Sequence, residues 1–297
     1  MRAPELKRNL KIAISLAYYM GRGVLHCLLR LVGRSDRERL TVLYYHGILP
    51  EQRLGFHRQM ATLQRRARVV PASFRGKLGS GKKCVAITFD DALISLLENA
   101  LPQLENYSFH STVFVPTGWL GRTPGWSMKE SEPAFAKNPE LADVVMSPGQ
   151  LKSLNTALVS LGSHSVMHPS MLEIDAKRAR QEIEESRRQL REMTGLQISE
   201  FSFPYGEYDA SHVEMCRAAS YEAVYSIEAR GVDTTNNEIL RGRTKVEPTD
   251  GPLEFFLKFQ GAYEWMSSTA AARKMLRSSP ARQPSGVRVQ PGGQDAL

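Results

Sequence analysis

The chain has 297 residues, 42% of them hydrophobic and 24% charged, which is enough to bury one sizeable core and fits a single domain with tails. The net charge of +8 gathers toward the two ends, and without a recognition motif beside it the charge does not point to a nucleic-acid partner. Three cysteines, Cys27, Cys84 and Cys216, show no paired spacing and read as small apolar residues rather than a disulfide framework or zinc ligands.

Residues 1–39 form a basic segment. Its apolar stretch at 12–32 is interrupted by Arg22, His26 and Arg30, which makes it a poor membrane span. Three readings compete: an uncleaved signal anchor, an amphipathic helix on a membrane surface, and a helix docked on the domain. A peripheral or docked basic helix is preferred. It favours a membrane-peripheral or cell-envelope location, with the cytoplasm as the alternative.

Residues 40–45 are an apolar run ending in His46-Gly47, a buried strand entering a loop. A helix is expected over 56–66, strands at 69–70 and 84–89, a helix over 92–105 and a strand over 111–116. Residues 121–142 lose periodicity and gather Gly, Pro and Trp126, the pattern of a long loop at the mouth of a site. A short helix at 150–154 and a strand at 157–161 lead into Gly162-Ser163-His164. Residues 175–193 form a charged amphipathic helix closed by Gly195. A strand at 201–203, a helix at 212–219 and a strand at 223–226 follow. Strands alternating with helices imply a parallel sheet or barrel. Residues 267–297 read as a tail without packed structure.

Three motifs stand at strand ends, where α/β folds place their ligands. Val85-Ala86-Ile87-Thr88-Phe89-Asp90-Asp91 delivers two adjacent acids; either one could instead cap a following helix. Ser163-His164-Ser165-Val166-Met167-His168-Pro169 carries two histidines four apart, able to converge on a cation from a helical turn, although single histidines are usually structural. Phe201-Ser202-Phe203-Pro204-Tyr205-Gly206 is by itself an ordinary strand-to-loop turn.

In this order the motifs resemble the polysaccharide deacetylase family, the NodB-like homology domain of carbohydrate esterase family four, over residues 40–246. The resemblance implies a distorted (β/α) barrel with an N-terminal helix, a catalytic domain over 40–266, and a metal-dependent hydrolase removing acetyl groups from the N-acetylated sugars of a glycan. It implies a divalent metal, zinc first, with cobalt, nickel or manganese as alternatives, held by Asp91, His164 and His168. Asp90 would be the catalytic base, and the backbone amide of Tyr205 an oxyanion donor. The usual late histidine is missing after His212. The run Thr41-Val42-Leu43-Tyr44-Tyr45-His46 resembles the permuted, exopolysaccharide-deacetylase-like subgroup, in which an early strand supplies the general acid; this assigns that role to His46.

Two positions depart from the family pattern. Ala92 stands where the family has Gly, a change without consequence if the backbone there needs no positive φ. Ser202 stands where many members carry an arginine that orients the base, and Arg243 resembles a later arginine that would substitute. Competing readings are a silent carbohydrate-binding domain that keeps the fold, and a deacetylase of a small molecule or an O-acetyl ester.

Overall fold

The computed structural model describes residues 3–33, 38–79, 81–126 and 143–268. The expected loop over 121–142 falls, from residue 127 on, outside the described residues, as does the expected tail beyond residue 268.

Among the described residues nine strands form one parallel sheet: β1 (Thr41–Tyr45), β2 (Ala67–Val69), β3 (Lys83–Phe89), β4 (Ser111–Val115), β5 (Val159–Ser163), β6 (Glu200–Ser202), β7 (Ala223–Tyr225), β8 (Leu240–Arg241) and β9 (Thr244–Lys245). Their order is β8-β7-β6-β5-β4-β3-β1-β9, with β2 beside the opening residues of β3. The two ends of that order are neighbours in sequence, because only Gly242 and Arg243 separate β8 from β9. One strand therefore changes partner from β7 to β1 across this dipeptide, and the sheet must curl until its edges meet. Gly242 permits the crossing: a Cβ there would lie 2.5 Å from the Glu228 carbonyl oxygen.

Successive side chains on a strand face opposite ways, so one parity lines the barrel. On β3 the odd positions Val85, Ile87 and Phe89 pack outward in the main core, while Cys84 and Ala86 join the interior cluster with Val42, Phe114, Ala223 and Tyr225. That interior parity carries on to Thr88 on β3 and Tyr44 on β1, and past the strand ends to Asp90 and His46. Registers Phe114 with Gly162, Glu200 with Ala223, and Tyr225 with Arg241 extend it round the barrel. Interior positions end in polar residues at the C-terminal edge, and that is where the site forms.

The helices are α1 (Ala3–Leu31), α2 (Arg53–Arg66), α3 (Ile94–Asn99), α4 (Leu101–Asn106), α5 (Pro148–Lys152), α6 (Ala176–Thr194), α7 (Ala210–Ala218), α8 (Pro252–Phe259) and α9 (Trp265–Ser268). α6 shows why its sequence is helical. Asp175 accepts the Arg178 amide at 2.8 Å, Gly195 ends it at φ 72°, and Ala179, Glu182, Ile183, Ser186 and Leu190 form its buried stripe. The single helix expected over 92–105 is two short ones. Its first residues are taken by a left-handed turn, and Pro102, at the start of α4, lacks the amide a continuous helix would use. β8, β9 and α8 have no counterpart in the sequence expectation, since strands of two residues carry no periodic signal.

α1 lies against the domain. Arg8 meets Glu254 at 2.6 Å, Trp265 Nε1 donates to Ser15 Oγ at 2.9 Å, and Tyr19 packs edge-on against Phe256. Pro4–Leu29 of α1 holds a stretch of mean hydropathy 1.4, so the segment expected to be a poor membrane span lies in a helix long and apolar enough in composition to cross a bilayer.

Candidate active site

β3 hands Asp90 to the interior through its alternation, with the Asp90 amide donating to Tyr45 O at 2.9 Å as the ladder's last rung. There the carboxylate meets Arg243, which rises from the β8–β9 crossing. Nη1 donates to Oδ1 at 2.7 Å and Nη2 to Oδ2 at 2.9 Å, a bidentate pair in which Arg243 has no exposed surface. Nη2 also donates to Ser202 Oγ at 2.7 Å, Nη1 to Thr88 Oγ1 at 3.3 Å and Nε to the Ser226 carbonyl at 3.2 Å. The rings of Tyr44 and Phe114 sit 4.7 and 5.3 Å from the guanidinium. Burial alone would raise the Asp90 carboxyl; the charge and hydrogen bonds of Arg243, with His164 and His46 nearby, more than offset it and hold the group at about 2.

Asp91 opens a left-handed turn, with φ 70° there and 48° at Ala92. The turn reverses the chain and presents the Asp91 carboxylate to two histidines. Asp91 Oδ1 lies 3.7 Å from His164 Nε2 and 3.4 Å from His168 Nε2, and the three candidate ligand atoms all lie within 4.8 Å of one another. Neither acid caps a helix. The N-cap of α3 is Leu93, and Asp143 Oδ1 takes the Ser95 and Val144 amides at 3.1 and 3.0 Å.

The histidines do not share a helical turn. His164 directly follows β5, and the chain to His168 is an irregular loop with Ser165 at φ 64° and His168 at φ 57°. Glu182, buried on α6, shapes that loop by accepting the Val166 and Met167 amides at 2.9 and 2.8 Å, and Ser165 Oγ accepts the His168 amide at 3.0 Å. Of seven non-glycine residues with positive φ among those described, five (Asp91, Ala92, Ser165, His168 and Tyr205) surround this site. Strain of roughly 1–2 kcal/mol per such residue is concentrated where side chains must be aimed.

The residues fit a divalent cation. His164 Nδ1 faces the Ser202 carbonyl at 2.7 Å, a contact that puts the ring proton on Nδ1 and leaves the Nε2 lone pair toward Asp91. Asp91 Oδ1 is buried and accepts no hydrogen bond. Burial, and then the charge of Asp90, push the Asp91 carboxyl well above the usual carboxylate range, a penalty that a cation between it and two imidazoles would remove. Burial also lowers His164, favouring the neutral ring that metals bind. Two imidazoles and one carboxylate are a donor set for zinc and related divalent metals.

Aromatic walls flank the triad. Trp126 stacks on His168 at 4.1 Å and 15°, and Tyr205 meets the same ring edge-on at 4.6 Å. Tyr205 is itself left-handed, φ 60°, inside the short Pro204–Gly206 turn. His46 stands half-buried at the rim on the interior parity of β1. Burial pushes it down to about 4 against the opposing pull of Asp90.

The structure thus brings Asp90, Asp91, His164, His168, Tyr205, Arg243 and His46 to one edge of the barrel. Two sequence expectations need correcting. The position of Ala92 does require positive φ, so alanine there carries strain that glycine would not. The histidine pair converges through a strained loop rather than a helical turn. Thr88, Glu182 and Ser165 support the site without a motif of their own, and Ser202, read above as a departure, accepts from Arg243. Interior parity would have identified Thr88 and Ser202; nothing local marks Glu182.

The polysaccharide deacetylase family model matches residues 77–224. The match begins after His46 and ends before Arg243. Among curated proteins, YxkH of Bacillus subtilis strain 168, named as a polysaccharide deacetylase, is 22% identical over 167 residues, 56% of this chain and 53% of its own length. The chain thus aligns with about half the length of that relative. Among solved structures, Streptococcus pyogenes deacetylase PplD superposes with a TM-score of 0.60 at 17% identity, over 75% of this chain and 99% of its own. IcaB from Ammonifex degensii superposes with 0.60 at 23% identity, over 77% and 98%. At these identities the superpositions speak for the fold, a (β/α) barrel with an added N-terminal helix. On the matched motifs and that fold together, the chain belongs to the polysaccharide deacetylase family of hydrolases.

Proposed function

We propose that this chain is a metal-dependent hydrolase that removes acetyl groups from N-acetylated sugars of a polysaccharide or other glycan. One observation carries the reading. A buried carboxylate held ionised by a bidentate arginine, Asp90 with Arg243, stands beside an Asp-His-His cluster fit for a divalent metal.

Asp91, His164 and His168 would hold the metal, zinc first, with cobalt, nickel or manganese able to replace it. When bound, such an ion supplies Lewis acidity for a carbonyl oxygen and acidifies water. The remaining steps belong to the chain. Asp90 takes a proton from the water that attacks the acetyl carbonyl carbon, and Arg243 fixes the direction of its carboxylate. The Tyr205 backbone amide donates to the tetrahedral oxyanion. His46 gives a proton to the leaving nitrogen, and acetate and a free amine part. Because the free site holds His46 neutral at pH 7, it must be protonated in the course of turnover. Trp126 and Tyr205 would bracket the sugar, since flat aromatic faces suit its apolar side.

Residues 40–266 act as the catalytic domain on this reading, and the apolar α1 keeps the enzyme at a membrane of the cell envelope. The test is release from N-acetylglucosamine oligomers by protein stripped of metal and reloaded with zinc, cobalt or nickel. Acetate and free amine appearing in equal amounts would support it. Acetate without amine would identify an ester substrate, and no release with any metal would leave a binding domain.

A further inference from the structure

α1 is amphipathic the wrong way round for a helix on a water-soluble domain. At 100° per residue, Arg8, Ile12, Ser15, Tyr19 and Arg22 share one side, and this mostly polar side faces the protein. Arg8 pairs with Glu254 at 2.6 Å, Arg22 with Glu264 at 3.5 Å, and Ser15, fully buried, accepts from Trp265. The opposite side, an arc of about 80° by the same geometry, holds Leu6, Leu10, Met20, Val24, Leu28 and Leu31, with Ala13 and Ala17 between them and no charged side chain. These six are 52 to 82% exposed. An ordinary surface helix buries such a stripe and shows its polar residues to water.

We propose that α1 lies flat in the surface of an anionic lipid bilayer, its outer face among the acyl chains and the catalytic domain riding on its inner face. Lys7, about 60° beyond one border of the apolar arc by the same geometry, sits at the depth of phosphate headgroups, and the chain's net charge of +8 adds to the attraction. The ties to the domain decide between lying and crossing. From Arg8 to Arg22 about 21 Å of helix is fastened by ion pairs and a hydrogen bond. A helix crossing a hydrocarbon layer of about 30 Å would have to carry those pairs into it or break them. A second copy of the chain would cover a narrow seam, whereas this face also exposes Ile14, Leu16 and Leu25 on its flanks.

The same ties fix how the domain stands. Arg8 is held by Thr249 and Glu254, just after β9 at the C-terminal, catalytic edge. Arg22 is held by Glu264 at the other end, where a Cβ on Gly261 would lie within 4 Å of both Arg22 Nη1 and Thr41 Oγ1 at the start of β1. α1 thus runs from the catalytic edge to the opposite one, and a flat α1 leaves the mouth of the site opening along the membrane surface.

This inference rests on the membrane location proposed above and not on the reaction. The experiment uses the full chain in a Cys27→Ser background, floated with vesicles of phosphatidylcholine alone and with phosphatidylglycerol added. Flotation should need the anionic lipid and weaken with salt. Leu10→Asp with Val24→Asp should cut it by about tenfold or more, while Leu54→Asp, an equally exposed apolar site on α2, should not. A fluorophore attached through Leu10→Cys, Ala17→Cys or Leu28→Cys should then report one shallow depth against lipids carrying quenchers near the headgroup or the chain end. A deep Ala17 between shallow ends would overturn the flat placement and leave the membrane location standing. No flotation, with a dimer in solution that Leu10→Asp dissociates, would overturn both and identify a second copy as the occupant.

Discussion

Arg241 and Arg243 are two residues apart on one strand, share the interior face of the barrel and are both buried, yet they do different things. Arg243, nearer the C-terminal edge, places its fork on Asp90 and keeps that carboxyl ionised. Arg241, one step deeper, spends its donors on the carbonyls of Ala72, Phe74 and Ser73. The carboxylate it faces, Glu200, is raised by burial and tied instead to Tyr225 Oη at 2.6 Å. The chemistry of the side chain is the same in both places. The difference is whether the partner is a carboxylate at the open edge or backbone in the closed floor.

The comparison breaks most sharply at the Asp90 carboxylate itself. Asp90→Asn should lower acetate release by about 10²- to 10⁴-fold, measured with metal saturating, and leave metal binding in place. Arg243→Met comes next. It strands a buried carboxylate, which should cost roughly 3–5 kcal/mol in denaturant unfolding. Arg243 holds Asp90 below its unfolded value of about 3.9, so the pair's stability is present above that pH and lost as pH falls toward 2. Without Arg243, burial raises Asp90, and the acid limb of the pH–rate profile should move to higher pH. Arg241→Met should cost about 1–3 kcal/mol through three carbonyls left unpaired, with that limb unmoved. An acid limb displaced by both variants would erase the distinction between the two arginines. The smallest effect belongs to Ala92→Gly: relief of positive φ against glycine's extra chain entropy should change stability by about 1 kcal/mol or less and leave activity unchanged.

What could be read in the sequence follows from signal length. β3 shows six buried residues, 84–89, followed by two acids, and α6 shows a five-residue stripe with both caps, so strand-end chemistry and barrel class were legible. The link between Asp90 and Arg243 spans 153 residues and depends on β8 and β9, two residues each, which carry no period. The loop from His164 to His168 takes its form from Glu182, on a helix that follows it, and so looks locally like a helical turn. The strain at Ala92 is a property of backbone direction that residue type alone conceals. For α1 the amphipathic pattern was visible. Which face meets the domain was not, because the partners Glu254 and Glu264 lie more than 240 residues away.

The central claim, that the buried Asp-His-His cluster and the Arg243-held carboxylate work as one site, is tested most directly by following acetate release as metal-stripped protein is titrated with zinc. The account predicts release that rises with occupancy and saturates at one ion per chain, with Asp90→Asn taking up the same ion and releasing acetate about 10²-fold or more slowly. Release that is independent of occupancy, or that stays near the unmutated rate in Asp90→Asn, would contradict it.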